Sequence, residues 1–123
     1  MASARILYLD DEEPLVFIVK RMLEYLGHEV SGFTSADAAL AAFTESPDGF
    51  DLVLSDLSMP GMSGIEFASA VLALRPKMKV AIATGFVDPK DETRARAIGV
   101  THVIAKPGTI DEMRQAVSAM LAA

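Results

Sequence analysis

Two kinds of hydrophobic stretch alternate along this chain: short apolar runs too brief for a helix, and longer segments whose apolar residues return every three or four positions. The first run, Arg5 to Leu9, is ended by the acids Asp10-Asp11-Glu12 and predicts a buried strand. Pro14 suits the first turn of a helix in which Leu15, Val19, Met22 and Leu26 share a face and Gly27 supplies the stop. The same unit then repeats. His28 to Phe33 reads as a strand, followed by an alanine-rich helix over Ala36 to Thr44 opened by Thr34 or Ser35. Asp51 to Ser55 is a third strand. The next helix starts at Ile65, capped by a Ser63–Glu66 capping box, and ends near Arg75 because Pro76 cannot continue it. Lys79 to Ala83 is a fourth strand; Asp88-Pro89 opens a helix that Gly99 closes. Thr101 to Ala105 is a fifth. The last helix, with a capping box at Thr109 and Glu112, runs to the C-terminus with Ile110, Met113, Val117 and Met120 or Leu121 inward.

Five strands alternating with five helices, each strand apolar on both faces, imply a parallel sheet covered on both sides: a single doubly wound α/β domain over residues 1–123. No linker or closely repeated motif interrupts it. The first helix carries more apolar residues than one inner stripe needs, since Leu15 to Val19 are consecutive; some must face outward or sit at the margin, either packed against the last helix or available for docking. The seven methionines read as gap fillers in the core.

Composition narrows the classes. A chain of 123 residues matches one ordinary domain and should bury roughly two-thirds of its unfolded surface. The absence of Cys removes disulfides and thiolate zinc sites and fits a reducing compartment. No apolar run approaches the ~18 residues of a membrane span, and Met1 to Arg5 leads straight into a strand with no signal-peptide region, so a cytoplasmic location is expected. A net charge of -6, from 17 acidic and 11 basic residues, disfavours direct nucleic-acid binding and leaves protein partners and a metal cation open.

The chemistry lies at strand ends. Asp10 and Asp11 end the first strand, Asp56 follows the third, Thr84 the fourth and Lys106 the fifth, and ligands of open parallel sheets bind beyond these carboxyl ends. Asp56 is delivered into a loop of Pro60, Gly61 and Gly64, which holds it at a cleft. Two carboxylates about 4 Å apart repel by about 4 kcal/mol at an effective dielectric near 20, so three together call for a cation. Oxygen-only ligands supplied incompletely suit Mg²⁺, which commonly shares its coordination sphere with phosphate. Lys106 offers a point charge and Thr84 a hydroxyl to phosphoryl oxygens, and Gly85 leaves room for approach. Phosphoryl transfer onto the Asp56 carboxylate is the reaction this set predicts.

Over essentially its whole length the chain resembles a two-component response regulator receiver domain, through Leu9-Asp-Asp-Glu12, Asp56-Leu-Ser-Met-Pro-Gly-Met-Ser-Gly64, Ala83-Thr-Gly85 and Lys106-Pro107 in matching order and separation. The resemblance implies a flavodoxin-like, CheY-like sheet of strand order 2-1-3-4-5. It implies Asp56 as phosphoacceptor, Mg²⁺ held by Asp10, Asp11, Asp56 and the Ser58 backbone carbonyl, and Thr84 and Lys106 as switch residues. The donor would be a phosphohistidine on a sensor histidine kinase or histidine phosphotransfer protein, and the output a downstream protein partner. A monomer or weak phosphorylation-dependent dimer is expected, with no membrane or direct nucleic-acid partner and no enzymatic turnover beyond self-phosphorylation and slow self-dephosphorylation.

One departure concerns the switch: receivers usually carry Tyr or Phe three residues before the Lys, and here that position is Val103. Phe86 and Ser58, two residues past Thr84 and Asp56, should flank the path of a hydrolytic water, and the face of the first helix beside the acids is where such domains meet a phosphohistidine. An alternative context is a receiver from a hybrid sensor kinase, which the Thr84 to Pro89 stretch resembles slightly more than a stand-alone regulator. An aspartyl-nucleophile phosphatase is a weaker rival, because its sites resemble Asp-x-Asp, no acid follows Asp56 at that offset and no cap domain is present. A flavin or nucleotide binder would need a Gly-, Ser- or Thr-rich loop where Asp10-Asp11-Glu12 stands. A receiver that no longer accepts phosphate would not keep the full residue set.

Overall fold

The computed structural model describes residues 3–122; Met1, Ala2 and Ala123, the ends of the stretches read as a leaderless start and a terminal helix, lie outside them. Among the described residues the chain forms β1 (Arg5–Leu9), α1 (Glu13–Tyr25), β2 (Glu29–Phe33), α2 (Ala36–Glu45), β3 (Leu52–Asp56), α3 (Gly64–Leu74), β4 (Val80–Thr84), α4 (Pro89–Ala97), β5 (His102–Ala105) and α5 (Ile110–Ala122). All strand pairs are parallel and the order is β2-β1-β3-β4-β5, the expected doubly wound sheet. Register aligns the ends: Leu9 lies opposite Ser55, Asp56 opposite Ala83 and Thr84 opposite Ala105.

Two apolar layers cover the sheet. One packs Phe43, Phe67, Val71 and Ala95 of α2, α3 and α4 against Leu7, Leu9, Val53 and Ile82; the other packs Leu23, Met113, Val117 and Met120 of α1 and α5 against Ile6, Tyr8, Leu52, Leu54 and Ala81. Buried methionines fill gaps in both, Met78 in the first and Met113 and Met120 in the second. Central strands β3 and β4 are buried throughout, as runs covered on both faces must be. Edge strand β2 departs from the expectation of two apolar faces. It has no fully buried residue, because an edge strand is covered by fewer neighbours.

Local signals set the element ends. Ser35, rather than Thr34, caps α2 by accepting from the Ala38 N–H, and Ser63 and Glu66 close a full capping box on α3. At α5 the box is shared differently: Thr109 Oγ1 accepts from the Glu112 N–H, while the Glu112 carboxylate reaches the Gly108 N–H instead of that of Thr109. The inner stripe of α1 keeps the expected Val19, Met22 and Leu26 and exchanges Leu15 for Val16 and Leu23. Leu23 is its one fully buried residue, with Val16, Val19, Met22 and Leu26 packed beside it; Leu15 lies at the margin and Phe17 and Ile18 face solvent. Arg75 clasps the chain ahead of β3, its Nη1 donating to the carbonyls of Pro47 and Phe50.

His28, read as the start of β2, precedes that strand and is buried beneath the sheet, where its Nδ1 accepts the Ala4 N–H at 3.1 Å. Burial pushes the imidazole below its ordinary value. The unfolded chain then takes up a proton near pH 6.5 that the folded chain resists, so stability is complete above that pH and declines as pH falls below it. Thermal unfolding should show a midpoint that drops between about pH 7 and pH 5.5, and His28→Gln should flatten that decline; an equally steep decline in the variant would remove His28 as its source.

Candidate functional site

β1, β3, β4 and β5 bring their polar groups to the same edge of the sheet, β1 two and the others one each. Asp10 is fully buried, and its backbone N–H donates to Phe33 of β2 at 3.1 Å. Asp56 is the last residue of β3, itself buried, whereas Asp11 beside it is exposed. One carboxylate oxygen from each of Asp10, Asp11 and Asp56 lies within 4.8 Å of the others. Their chain separation of 45 residues or more is closed by the β1–β3 pairing. Ser58 follows in an exposed stretch of the β3–α3 loop.

The Lys106 amine sits between two of these acids, 3.1 Å from Asp10 Oδ2 and 3.2 Å from Asp56 Oδ1. Its backbone N–H donates to the Thr84 carbonyl at 2.8 Å, prolonging the β4–β5 pairing so that Thr84 and Lys106 are held side by side. Burial alone would favour the neutral amine, but the Asp10 hydrogen bond and the charges of Asp56 and Asp10 outweigh it and push Lys106 upward. Asp56 is also raised: burial pushes its carboxyl up and the Asp10 charge adds to that, against the opposing pull of Lys106. Burial thus outweighs the ion pair with Lys106 at 3.2 Å.

Two hydrogen bonds add to the expected set. Thr84 Oγ1 donates to the Phe86 carbonyl at 3.2 Å, so the hydroxyl is engaged within its own loop. Phe86 is 76% exposed, and Val103 of β5 is buried in the layer of α2, α3 and α4. Deeper in, the Tyr8 hydroxyl donates to Asp10 Oδ2 at 2.9 Å. Burial, and then the Asp10 charge, raise its phenol and keep it a donor. A sequence signal for this contact exists: Tyr8 is the one hydroxyl-bearing residue of β1 and stands two positions before Asp10, hence on the same face of the strand.

The loop after Asp56 is held by α3. The Gly64 N–H donates to the Leu57 carbonyl at 2.8 Å, and a Cβ on Gly64 would lie 2.1 Å from the Asp56 carbonyl oxygen and 3.0 Å from Leu57 Cα. Glycine is required here by close approach. The Ser55 hydroxyl donates to the same Asp56 carbonyl at 2.8 Å, so the backbone carrying the acid is braced from two sides.

The donor set fits a small hard cation. The three carboxylate oxygens can converge on one ion, and all donors are oxygen. Gly64→Ala should cost about 1–3 kcal/mol of stability, as overpacking against backbone does, and should lower the affinity of the acids for Mg²⁺ by displacing Asp56; a denaturation midpoint and metal affinity equal to the parent's would show that the loop yields freely.

Comparison with known proteins follows the same line. Residues 6–118 match the model of the response regulator receiver domain. The chain is 33% identical over 120 residues to the virulence sensor protein BvgS of Bordetella pertussis, which covers 92% of this chain but 10% of BvgS. It is 29% identical to the response regulator receiver protein CpdR of Brucella abortus, with 97% of this chain and 98% of CpdR covered. Among solved structures, the response regulator protein TrrA of Thermotoga maritima in complex with Mg²⁺ and BeF superposes with a TM-score of 0.85 at 27% identity, covering 96% of this chain and 99% of that one. With its five-stranded order, its acids at the strand ends and this match over nearly all its length, the chain belongs to the response regulator receiver domains, the regulatory modules of two-component systems.

Proposed function

We propose that this receiver accepts a phosphoryl group on Asp56 from a phosphohistidine and passes the event on through its β4–α4 and β5 surfaces. The observation that carries the reading is the meeting of Asp56 with Asp10, Asp11 and Lys106 at one sheet edge. Asp56 is the acceptor because it closes β3 between the acids of β1 and the amine of β5, with its backbone braced by Ser55 and α3. Asp10, Asp11, Asp56 and the Ser58 carbonyl would hold Mg²⁺, which when bound supplies charge for phosphoryl oxygens. The TrrA complex with Mg²⁺ and BeF is consistent with that assignment.

Lys106 has a donor to give. Its amine is shared by Asp10 and Asp56, and a phosphoryl oxygen on Asp56 offers it a more highly charged partner. Thr84 has to exchange a partner: its hydroxyl leaves the Phe86 carbonyl to donate to the phosphoryl group, so the Phe86 carbonyl loses a hydrogen bond and the β4–α4 loop is released. Val103 cannot report this movement as an aromatic ring would. Its side chain is small and already buried in the core, so the output rests on the β4–α4 loop with the exposed Phe86.

The phosphohistidine partner, on a sensor histidine kinase or histidine phosphotransfer protein, would dock against α1. There Phe17 and Ile18 are 61% and 50% exposed, and a cleft lined by Leu15, Ile18, Val19, Lys106 and Pro107 opens between α1 and the β5–α5 loop. No described helix is long and apolar enough to cross a membrane. The chain spans 10% of BvgS and 98% of CpdR, so it has the size of a stand-alone receiver as well as of a hybrid-kinase module.

Incubation with a small phosphodonor and Mg²⁺ should add the mass of one phosphoryl group to the parent and none to Asp56→Asn. Label retained by Asp56→Asn would move the acceptor elsewhere. Phe86→Ala should shorten the lifetime of the aspartyl phosphate severalfold by opening the site to water, measured as loss of label after removal of donor; an unchanged decay rate would take Phe86 out of the water path.

A further inference from the structure

Within that reading of the acid cluster, on which this inference rests, we propose that Tyr8 is a positioning residue: its hydroxyl fixes the buried Asp10 carboxylate for Mg²⁺ and keeps it hydrogen-bonded when the Lys106 amine turns to a phosphoryl group on Asp56. Asp10 has no exposed surface. Its Oδ1 accepts the Glu12 N–H at 3.0 Å, and its Oδ2 accepts both the Tyr8 hydroxyl at 2.9 Å and the Lys106 amine at 3.1 Å. The two donors on Oδ2 differ in kind. Lys106 ends a flexible stem, is 29% exposed and is shared with Asp56. Tyr8 is 2% exposed, held within β1 one residue before its end, and packed in the core layer of α1 and α5.

A buried carboxylate that loses one of its donors must be satisfied by those that remain, or it rotates or takes up a proton. Phosphorylation of Asp56 draws on Lys106 and therefore on Oδ2 of Asp10. The phenol is the group that stays. Its placement also explains why an otherwise aliphatic strand carries a hydroxyl in its interior: a buried hydroxyl is tolerated when it is hydrogen-bonded, and Asp10 Oδ2 is the partner it has. Outer groups that hold a metal ligand in place govern affinity in the same manner in other metal sites.

The test needs no phosphodonor. Calorimetric titration of the parent with Mg²⁺ should give binding that Tyr8→Phe weakens about tenfold, the low end for loss of an outer partner of a metal ligand. Unfolding of both proteins in chelator separates this from a packing effect, since a merely structural Tyr8 would move the unfolding midpoint and leave Mg²⁺ affinity alone. The chain has two tyrosines, and Tyr25 is 77% exposed. In a Tyr25→Phe background, 3-fluorotyrosine therefore puts a single ¹⁹F label at position 8 without removing the hydroxyl, which serves even where Tyr8→Phe fails to fold. Its resonance should move along the Mg²⁺ titration with the calorimetric dissociation constant. Affinity in Tyr8→Phe within about twofold of the parent, or a ¹⁹F resonance indifferent to saturating Mg²⁺, would overturn the role of Tyr8. A parent that does not bind Mg²⁺ at all would overturn the metal assignment itself.

Discussion

The Lys106 amine between Asp10 and Asp56 is the interaction on which the functional edge depends. Three acids brought within 4.8 Å of one another oppose folding unless something positive stands among them, and Lys106 reaches two of the three. Burial nonetheless raises the Asp56 carboxyl above its ordinary value. Three carboxylates beside one amine suit the edge to a cation, and in the proposed phosphoryl transfer Lys106 would gain a stronger acceptor than either acid. A site that was fully neutralised in the resting chain would have less to gain from a cation.

That arrangement depends on backbone more than on the side chains themselves. Asp56 occupies the last place in a strand buried throughout, its carbonyl is held by Ser55, and α3 approaches so closely that position 64 has no room for a Cβ. Thr84 and Lys106 are fixed together by a main-chain hydrogen bond that prolongs the pairing of β4 and β5. Rigid strand ends thus carry side chains with freedom to exchange partners: the Thr84 hydroxyl now rests on Phe86, and the Lys106 amine rests on two acids. Hydrogen bonds that can exchange on a fixed frame are what the switching proposed for Thr84 and Lys106 would require.

Much of this was legible in the amino-acid order. Alternating apolar runs and helical stripes, the Ser63–Glu66 capping box and the Pro and Gly stops located all ten elements to within a residue or two, because each depends on local chemistry. The strand ends likewise placed Asp10, Asp11, Asp56, Thr84 and Lys106 on one edge, since parallel strands in a covered sheet all point their carboxyl ends the same way. The errors have equally physical causes. On α1 the expected Val19, Met22 and Leu26 do pack inward, while Val16 takes the place of Leu15 and Leu23 is the fully buried residue, because Leu15 to Val19 is apolar at every position and periodicity cannot say which of them turn toward the sheet. Strand β2 was assigned two covered faces, although its place at the sheet edge leaves it open.

The sequence by itself therefore determined the doubly wound fold, the order of its elements and the roster of polar groups at the strand ends, because helix caps, turn residues and apolar periodicity act over a few neighbouring positions. Only the tertiary structure decided how those groups satisfy one another. It gave one amine to Asp10 and Asp56 together, joined Tyr8 to Asp10, turned Thr84 toward Phe86, buried Val103 and left Phe17, Ile18 and Phe86 in solvent. The Lys106–Asp10 contact spans 96 positions, and it and the burial depend on sheet register and helix packing that no local pattern encodes; the Tyr8–Asp10 and Thr84–Phe86 bonds span two positions each, but the packed strand ends decide which acceptor each hydroxyl takes.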